Sequence, residues 1–375
     1  MFSLLEDFKK VGSINVMDWM KKNPTLCEEK LIYPPETIEY FAPMSKDEAV
    51  PESFQAATYY LPPFYVRKIK DGKCYTKNGL VLTPDDQPLT NYTPEPDHPL
   101  RNKRKNRFKN PKKIEGSVAI FSVDPLNANY FHWLIEIFPK MHLVKESGFN
   151  IDYYVINNTE PFQKGALDMF GIPEEKVINH EPNELIQADE LVVPDIVNNF
   201  KVMLSEKGLY FNTKYIPKWI PKFYHSFVWS NLTQTPPKKL FVSRRKCNHR
   251  RIVNEAEVWE FLEKQGFESC VLEDLTFKEQ AELFYNSEII VAPHGAGLTN
   301  QLFCKPGTKV LEIFAKTYMN NGMELIAKTN DIKYSYLITG SVKNNEFERD
   351  DFPLVDDIQV EIDKLDEMLK FMYQS

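Results

Sequence analysis

The sequence predicts an α/β protein built from two Rossmann-like halves with parallel sheets, behind a smaller and irregular N-terminal region. Two observations carry this. Short apolar runs alternate with helical patterns from Ser117 to Val193, and a second alternation of the same kind runs from Leu240 to Phe314. A third observation fixes the character of the second half. In Ser287 to Phe314, SEIIVAPHGAGLTNQLFCKPGTKVLEIF, two continuous apolar runs flank a small-residue turn, as expected where strands are buried on both faces.

Composition sets the bounds. With 375 residues, 42% hydrophobic and 13% aromatic, the chain can fill two cores, which excludes a fibrous or disordered protein. A net charge of −7 argues against a dedicated nucleic-acid binder, because neutralising phosphates requires a basic surface. Five scattered cysteines without a C-x-x-C pair suggest neither a disulfide framework nor a zinc site. Glu6 and Asp7 interrupt what a signal peptide would need, and no apolar run reaches the ~18 residues of a membrane span. The expectation is a cytoplasmic protein whose membrane contact, if any, is peripheral.

Residues 1–115 are proline-rich and read as short strands and loops of unknown role, packed on the first domain. Phe64, Val66 and Ile69 with Tyr75, Leu80 and Leu82 suggest a hairpin-like pair turning near Asp71-Gly72. Arg101 to Lys113 carries eight basic residues and no acid; it is either a solvated connection or a contact for anionic lipid or an acidic substrate at the inner face of a membrane.

The first half, 116–236, places strands at Ser117 to Val123, Ile151 to Ile156, Lys176 to Ile178 and Glu190 to Val193. A helix over Tyr130 to Lys145 should be kinked or interrupted by Pro139, and another spans Phe162 to Phe170. The second half, 237–375, has strands at Leu240 to Ser243 and Ser269 to Leu272, helices at Asn254 to Gln265 (Asn254 as N-cap) and Phe277 to Tyr285, then the stretch quoted above. Asp356 to Tyr373 reads as an amphipathic helix with Ile358, Ile362, Leu365, Leu369 and Met372 on one face, a candidate to cross back to the first domain.

Two constellations could carry chemistry. Ser243-Arg244-Arg245 leaves the end of a strand, and Arg250-Arg251 stands before a helix. His294-Gly295-Ala296-Gly297 turns at the same sheet edge into a helical start at Leu298-Thr299-Asn300. Guanidiniums that fork onto phosphate oxygens would meet unpaired backbone N–H groups there, and glycines let a ligand approach the backbone. The plain alternative pairs the arginines with Glu255, Glu257 and Glu260. Glu312, at the end of its strand, is placed to accept ribose hydroxyls or else is merely solvated. In the first half, His132 and Glu136 are four residues apart on one helical face, where one could take a proton from a hydroxyl, or where the histidine is simply part of a helix core.

Asn129 to Glu136 followed by Pro139-Lys140, then Ser243-Arg244-Arg245 with Arg250-Arg251 and Asn254-Glu255, then His294 to Asn300, then Val310-Leu311-Glu312-Ile313 together resemble the ordered motifs of glycosyltransferase family 61. The resemblance covers roughly residues 117–315. It implies a GT-B type fold, two Rossmann-like domains facing a cleft, and an inverting transfer from a nucleotide-sugar, a UDP-sugar in the first instance, to a glycan, polysaccharide or glycoconjugate hydroxyl. The donor would be held by the C-terminal half, with Glu136 and His132 as the catalytic pair. Relatives of the secretory pathway carry an anchor or signal peptide that this chain lacks, which points to a bacterial or viral type of cytoplasmic enzyme. No D-x-D triplet occurs, so no essential metal and no cofactor are expected; arginines and a helix start would neutralise the leaving group. A serine hydrolase would need G-x-S-x-G and a dinucleotide oxidoreductase G-x-G-x-x-G, and neither occurs. A non-catalytic nucleotide- or glycan-binding subunit of the same fold is the alternative that survives.

Overall fold

Seventeen strands, β1 to β17, and nine α-helices, α1 to α9, make up the α/β computed structural model among the described residues, which are 14–43, 54–76, 79–89, 92, 111–121, 129–178, 184–197, 200–205, 208–213, 215–236, 238–344 and 355–374. The basic run over 101–110, the expected strand end at Val123 and residues 1–13 lie outside them. The chain divides into two compact units, Met1–Glu36 with Pro62–Val197, and Thr37–Leu61 with Asn198–Ser375.

The first unit is built on a mixed sheet. Its strands are β1 (Cys27–Tyr33), β4 (Phe64–Lys70), β5 (Lys73–Tyr75), β6 (Leu80–Leu82), β7 (Lys112–Ile120), β8 (Tyr153–Val155) and β9 (Leu185–Pro194). Only β7 runs parallel to β8 and β9; the N-terminal strands pair antiparallel, so the expected all-parallel sheet is extended by strands from a region that reads as irregular. No hairpin turns at Asp71-Gly72. Both β4 and β5 run along β9, and the turn is a break in one long edge, while the hairpin is β5 with β6. The strand expected at Lys176 to Ile178 is a 3-10 turn, Glu174–Lys176, followed by a single bridge from Val177 to Tyr154. Helix α1 (Val16–Lys22), capped by Asn15, adds Val16 and Trp19 to a core with Ile69, Val118, Val155 and Leu191. Each such buried side chain stabilises the fold by about 1.5–3 kcal/mol relative to exposure.

In this unit Pro139 interrupts the helical segment as its chemistry requires. Helix α2 (Tyr130–His132) opens into a π turn over Trp133–Ile137, and helix α3 (Pro139–Ser147) follows. Proline has no N–H to give the carbonyl four residues back and its ring crowds that carbonyl, so the chain inserts a wider turn, closed by Phe138 N donating to Trp133 O at 2.9 Å. Trp133 stacks on Phe138, centroids 4.8 Å apart, and both are buried. Helix α4 (Pro161–Phe170) ends at Gly171 in the left-handed region with φ 85°.

The second unit holds a sheet in the order β13 (Phe267–Val271), β12 (Lys238–Ser243), β14 (Ser287–Pro293), β15 (Lys309–Ala315), β16 (Lys333–Val342) and β17 (Asp357–Gln359). The first five are parallel, and β17 is antiparallel to β16. Ile358 thus lies in a strand, although its spacing fits the helical face that follows; α9 begins at Ile362 and ends at Gln374. Leu365, Leu369 and Met372 of α9 pack with Phe241, Val291, Leu311 and Leu337, so this helix covers the sheet of its own unit. The segment over 195–236, an expected crossover, contains the hairpin of β10 (Phe200–Ser205) and β11 (Gly208–Thr213) and helix α5 (Trp219–Val228). Helices α6 (Glu255–Lys264), α7 (Phe277–Tyr285) and α8 (Gly322–Thr329) connect the strands. Asn254 precedes α6 but makes no side-chain cap. Its amide instead donates to Val360 O and accepts from Val360 N, tying the helix start to the segment after β17. The paired strands β2 (Glu36–Tyr40) and β3 (Ala57–Leu61) lead to Phe54's side of this unit, where Phe54 packs on Phe314, Tyr334 and Tyr336.

Candidate functional site

The π turn brings two ionisable side chains into contact. His132 Nδ1 lies 2.7 Å from Glu136 Oε1, and the pair is mostly buried. Asn129 caps this segment, its Oδ1 accepting from Phe131 N and His132 N, so the histidine is held at a fixed helix entry. One turn further on, Lys140 is 6% exposed, and burial lowers its pKa to about 8 against the opposing pull of Glu136. A lysine so placed adds a partly charged group to the His132–Glu136 pair. Sequence reading passed over Lys140 as part of a Pro-Lys dipeptide; its spacing of four from Glu136 was the available signal.

In the second unit the arginine-bearing segment after β12 meets the turn after β14. Arg244 lies against the backbone of Gly295 so closely that a Cβ there would sit 2.0 Å from its Nη1. The glycine is therefore needed for the arginine, whereas the expectation was that it admits a ligand. A Cβ on Gly297 would similarly stand 2.6 Å from Leu272 Cδ1. Arg244 donates to His249 O, and Arg250 Nη2 is 2.9 Å from His249 Nε2. The Nε of each arginine is buried with no hydrogen-bond partner among the described residues. Arg250 also has φ 54°, a conformation that costs a non-glycine residue about 1 kcal/mol. Burial and the charge of Arg244 lower its pKa to about 10, and the same two arginines with burial lower that of His249 to about 4. Two like charges with buried, unsatisfied donors, held by a strained backbone and without an ion-paired carboxylate among the described residues, are an arrangement that an anion would complete.

The other expected donor residues divide sharply. Arg251 is ion-paired to Asp357, 3.1 Å away, and its backbone N donates to the same carboxylate. Arg245 is exposed. The alternative pairing with Glu255, Glu257 and Glu260 is not formed by Arg244, Arg250 or Arg251; Glu255 instead accepts from Ser243 Oγ at 2.6 Å. Ala296 and Gly297 are partly exposed at the start of a 3-10 helix, Ala296–Phe303, where an α-helical start was expected. Leu298, Thr299 and Asn300 point inward, Asn300 donating to Gln280 Oε1, so that only their backbone could meet a ligand.

Glu312 is neither solvated nor at a strand end. It is fully buried within β15, with Oε1 2.5 Å from His294 Nδ1 and Oε2 accepting from Tyr334 OH at 2.5 Å. Burial pushes its pKa up to about 8, and burial together with Arg250 and Arg244 holds the His294 imidazole well below its ordinary value. Tyr334 was not foreseen, since nothing in its own neighbourhood marks it; it comes from the next strand, where Glu312 pairs with Tyr336.

With this geometry in place, comparison with known proteins becomes informative. Residues 130–311 match the model of the family described as Glycosyltransferase 61, a span that includes His132, Glu136, the arginine-bearing segment and the His294 turn and ends one residue before Glu312. The chain is 29% identical over 97 residues to a beta-1,2-xylosyltransferase of Arabidopsis thaliana, covering 22% of this chain and 18% of that protein. It is 29% identical over 133 residues, 32% of this chain and 23% of the relative, to the EGF domain-specific O-linked N-acetylglucosamine transferase of Gallus gallus. The corresponding mouse protein shows 31% over 93 residues, 22% of this chain and 18% of its own length. The chain thus spans about a fifth of the length of the curated relatives it matches. Over residues 130–311, this chain is similar to glycosyltransferase family 61.

Proposed function

We propose that this protein is an inverting glycosyltransferase of the GT-B type that moves a sugar from a nucleotide-sugar, a UDP-sugar in the first instance, to a hydroxyl of a glycan, polysaccharide or glycoconjugate. The observation that carries the reading is the convergence of Arg244 and Arg250 on the His294-Gly295 turn. Nucleotide diphosphate is the leaving group of such a transfer, and its growing charge would be met by two partly buried, oriented guanidiniums. The absence of D-x-D from the sequence supports a metal-independent route. The first unit would supply the base. Glu136, with His132 orienting it or the acceptor, takes the proton as the hydroxyl attacks the anomeric carbon from the face opposite the departing diphosphate. The relatives' names, a xylosyltransferase and an N-acetylglucosamine transferase, are compatible with a glycan acceptor. We place the protein in the cytoplasm, with the basic run at Arg101 to Lys113 as its contact with anionic lipid.

A panel of nucleotide-sugars tests the reading by thermal stabilisation and slow hydrolysis, repeated with excess EDTA. A UDP-sugar should stabilise the protein and turn over in the chelator. Loss of turnover restored by manganese would overturn the metal-independent route. Stabilisation by donors without hydrolysis or transfer would favour the second reading, a non-catalytic nucleotide- or glycan-binding subunit.

A further inference from the structure

The Tyr334–Glu312–His294 chain has a property that neither a ribose contact nor a structural ion pair accounts for. Three polar side chains lie in series across adjacent strands, from Tyr334 OH to Glu312 Oε2 and from Glu312 Oε1 to His294 Nδ1. No lysine or arginine donates to the Glu312 carboxyl among the described residues. Aromatic rings close it in: Phe314 stacks on His294 with centroids 4.9 Å apart, Tyr318 meets the same ring edge-on, and Phe54 packs on Phe314 and Tyr334. A carboxyl without a cationic hydrogen-bond partner in such surroundings keeps its proton, because ionising it there costs more than its two hydrogen bonds return.

We propose that Glu312 and Tyr334 are positioning residues that lock His294 in one tautomer, so that its Nε2 carries the hydrogen and donates it to a phosphate oxygen of the nucleotide. Tyr334 OH donates to Oε2, Oε1–H donates to Nδ1, and Nε2–H is left for the ligand. Nε2 has no partner among the described residues, and Arg244 and Arg250 stand close enough to depress the imidazole. The site would then offer two cations and one neutral donor, avoiding a third positive charge beside two arginines. Were Glu312 a carboxylate, it would take the hydrogen of Nδ1 and leave Nε2 a lone pair facing the phosphate, a repulsive contact. The groups that act on Glu312 are Arg250, Tyr318, Glu324, Tyr334 and His294. The carboxyl's elevation to about 8 agrees with the geometry, while Arg250, at about 10, stays largely cationic through pH 9.

The inference rests on the nucleotide-diphosphate reading of this site, and the experiment separates the two. Nitrogen-15 spectra of the free protein, with the His294 signals assigned among the seven histidines by a His294→Asn variant, report the tautomer without any ligand. At pH 6.5 the hydrogen should be on Nε2, moving to Nδ1 as the pH rises toward 9. In calorimetry, UDP affinity of the unaltered protein should fall about tenfold between pH 7 and pH 9, the worth of one hydrogen bond to a charged group. Glu312→Gln, whose amide cannot ionise, should flatten that profile. Tyr334→Phe, which removes a donor to the carboxylate, should shift its midpoint to higher pH. A hydrogen on Nδ1 at pH 6.5 overturns the proposal whatever the variants do. So does an unaltered profile in both variants. An Nε2–H tautomer together with no UDP binding at any pH overturns the donor reading instead.

Discussion

Two of the His–Glu pairs among the described residues, His132–Glu136 and His294–Glu312, differ in how they are made. His132 and Glu136 belong to one π-interrupted helical segment, four residues apart and 2.7 Å in contact. His294 and Glu312 are 18 residues apart and come together because β14 and β15 run side by side. The first pair is made by a single element and retains 11% and 14% side-chain exposure; the second depends on the whole sheet and retains 6% and 0%. A local pair can face a substrate and exchange protons with it. In the second pair Glu312, with no side-chain exposure, can act only through His294.

The largest effect should separate the pairs by what they control. Glu136→Gln is expected to lower turnover by ~10²–10⁴-fold, the usual weight of a general base, with nucleotide affinity within twofold of normal. Steady-state rates and calorimetry on the same preparation measure both. Near-normal turnover in a folded Glu136→Gln protein would return the first pair to a helix-core role and break the contrast.

Next comes binding. Arg244→Ala or Arg250→Ala should each weaken UDP about 10- to 100-fold, as expected for charge-assisted hydrogen bonds worth about 1.5–3 kcal/mol. Gly295→Ala should approach the Arg244→Ala value, because the added methyl displaces that guanidinium. Gly295→Ala with unchanged affinity would show that Arg244 does not touch the nucleotide. Arg251→Ala should lower the melting temperature and leave affinity alone, since its partner is Asp357, which would be left almost buried without a cation.

The smallest effect is a pH slope in the second unit. His225 and His249, lowered to about 4, and His294, held well below its ordinary value, stay neutral when folded, while the unfolded chain takes up protons below about 6.5. Their contribution is lost as pH falls from 6.5 toward 4. Glu312 and Glu324, raised to about 8 and about 7, hold protons that the unfolded chain releases above 4.5, so their contribution is lost as pH rises toward 8. Three groups oppose two below pH 6.5 and only the acids act above it, which places this unit's optimum near pH 6.5. Amide exchange resolved by unit would read it, and protection still rising at pH 8 would contradict the burial of Glu312.

These contrasts also explain what could be read from the sequence. Helix α7 matches its expected limits, Phe277 to Tyr285, because a Thr276–Glu279 capping box and an apolar face mark it locally. The interruption at Pro139 was legible for the same reason. The mixed sheet of the first unit was not, since β4 and β5 pair with a strand near residue 190 and carry β1 and β6 on their outer edges, and no local pattern announces a distant edge. Ile358 misled because a residue four before Ile362 fits a helical stripe, yet pairing with β16 decides its conformation. Of the arginines, spacing showed that a cluster exists, but only the fold shows that Asp357 claims Arg251 while Arg244 Nε and Arg250 Nε have no hydrogen-bond partner among the described residues.

The stitching of the arginine-bearing segment to β17 has a mechanical consequence. Arg251 N and O bond Asp357 and Ile358 N, Val253 N bonds Ile358 O, and Asn248 O accepts from Asn344. The strained Arg250 therefore sits in a short span whose anchor lies 106 residues away in sequence. Closing so long a loop carries an entropic cost that is met once, by folding, and is then unavailable to a fragment. A chain nicked between β16 and β17 would keep Arg244 and Arg250 while losing the covalent tether that holds their anchor in place.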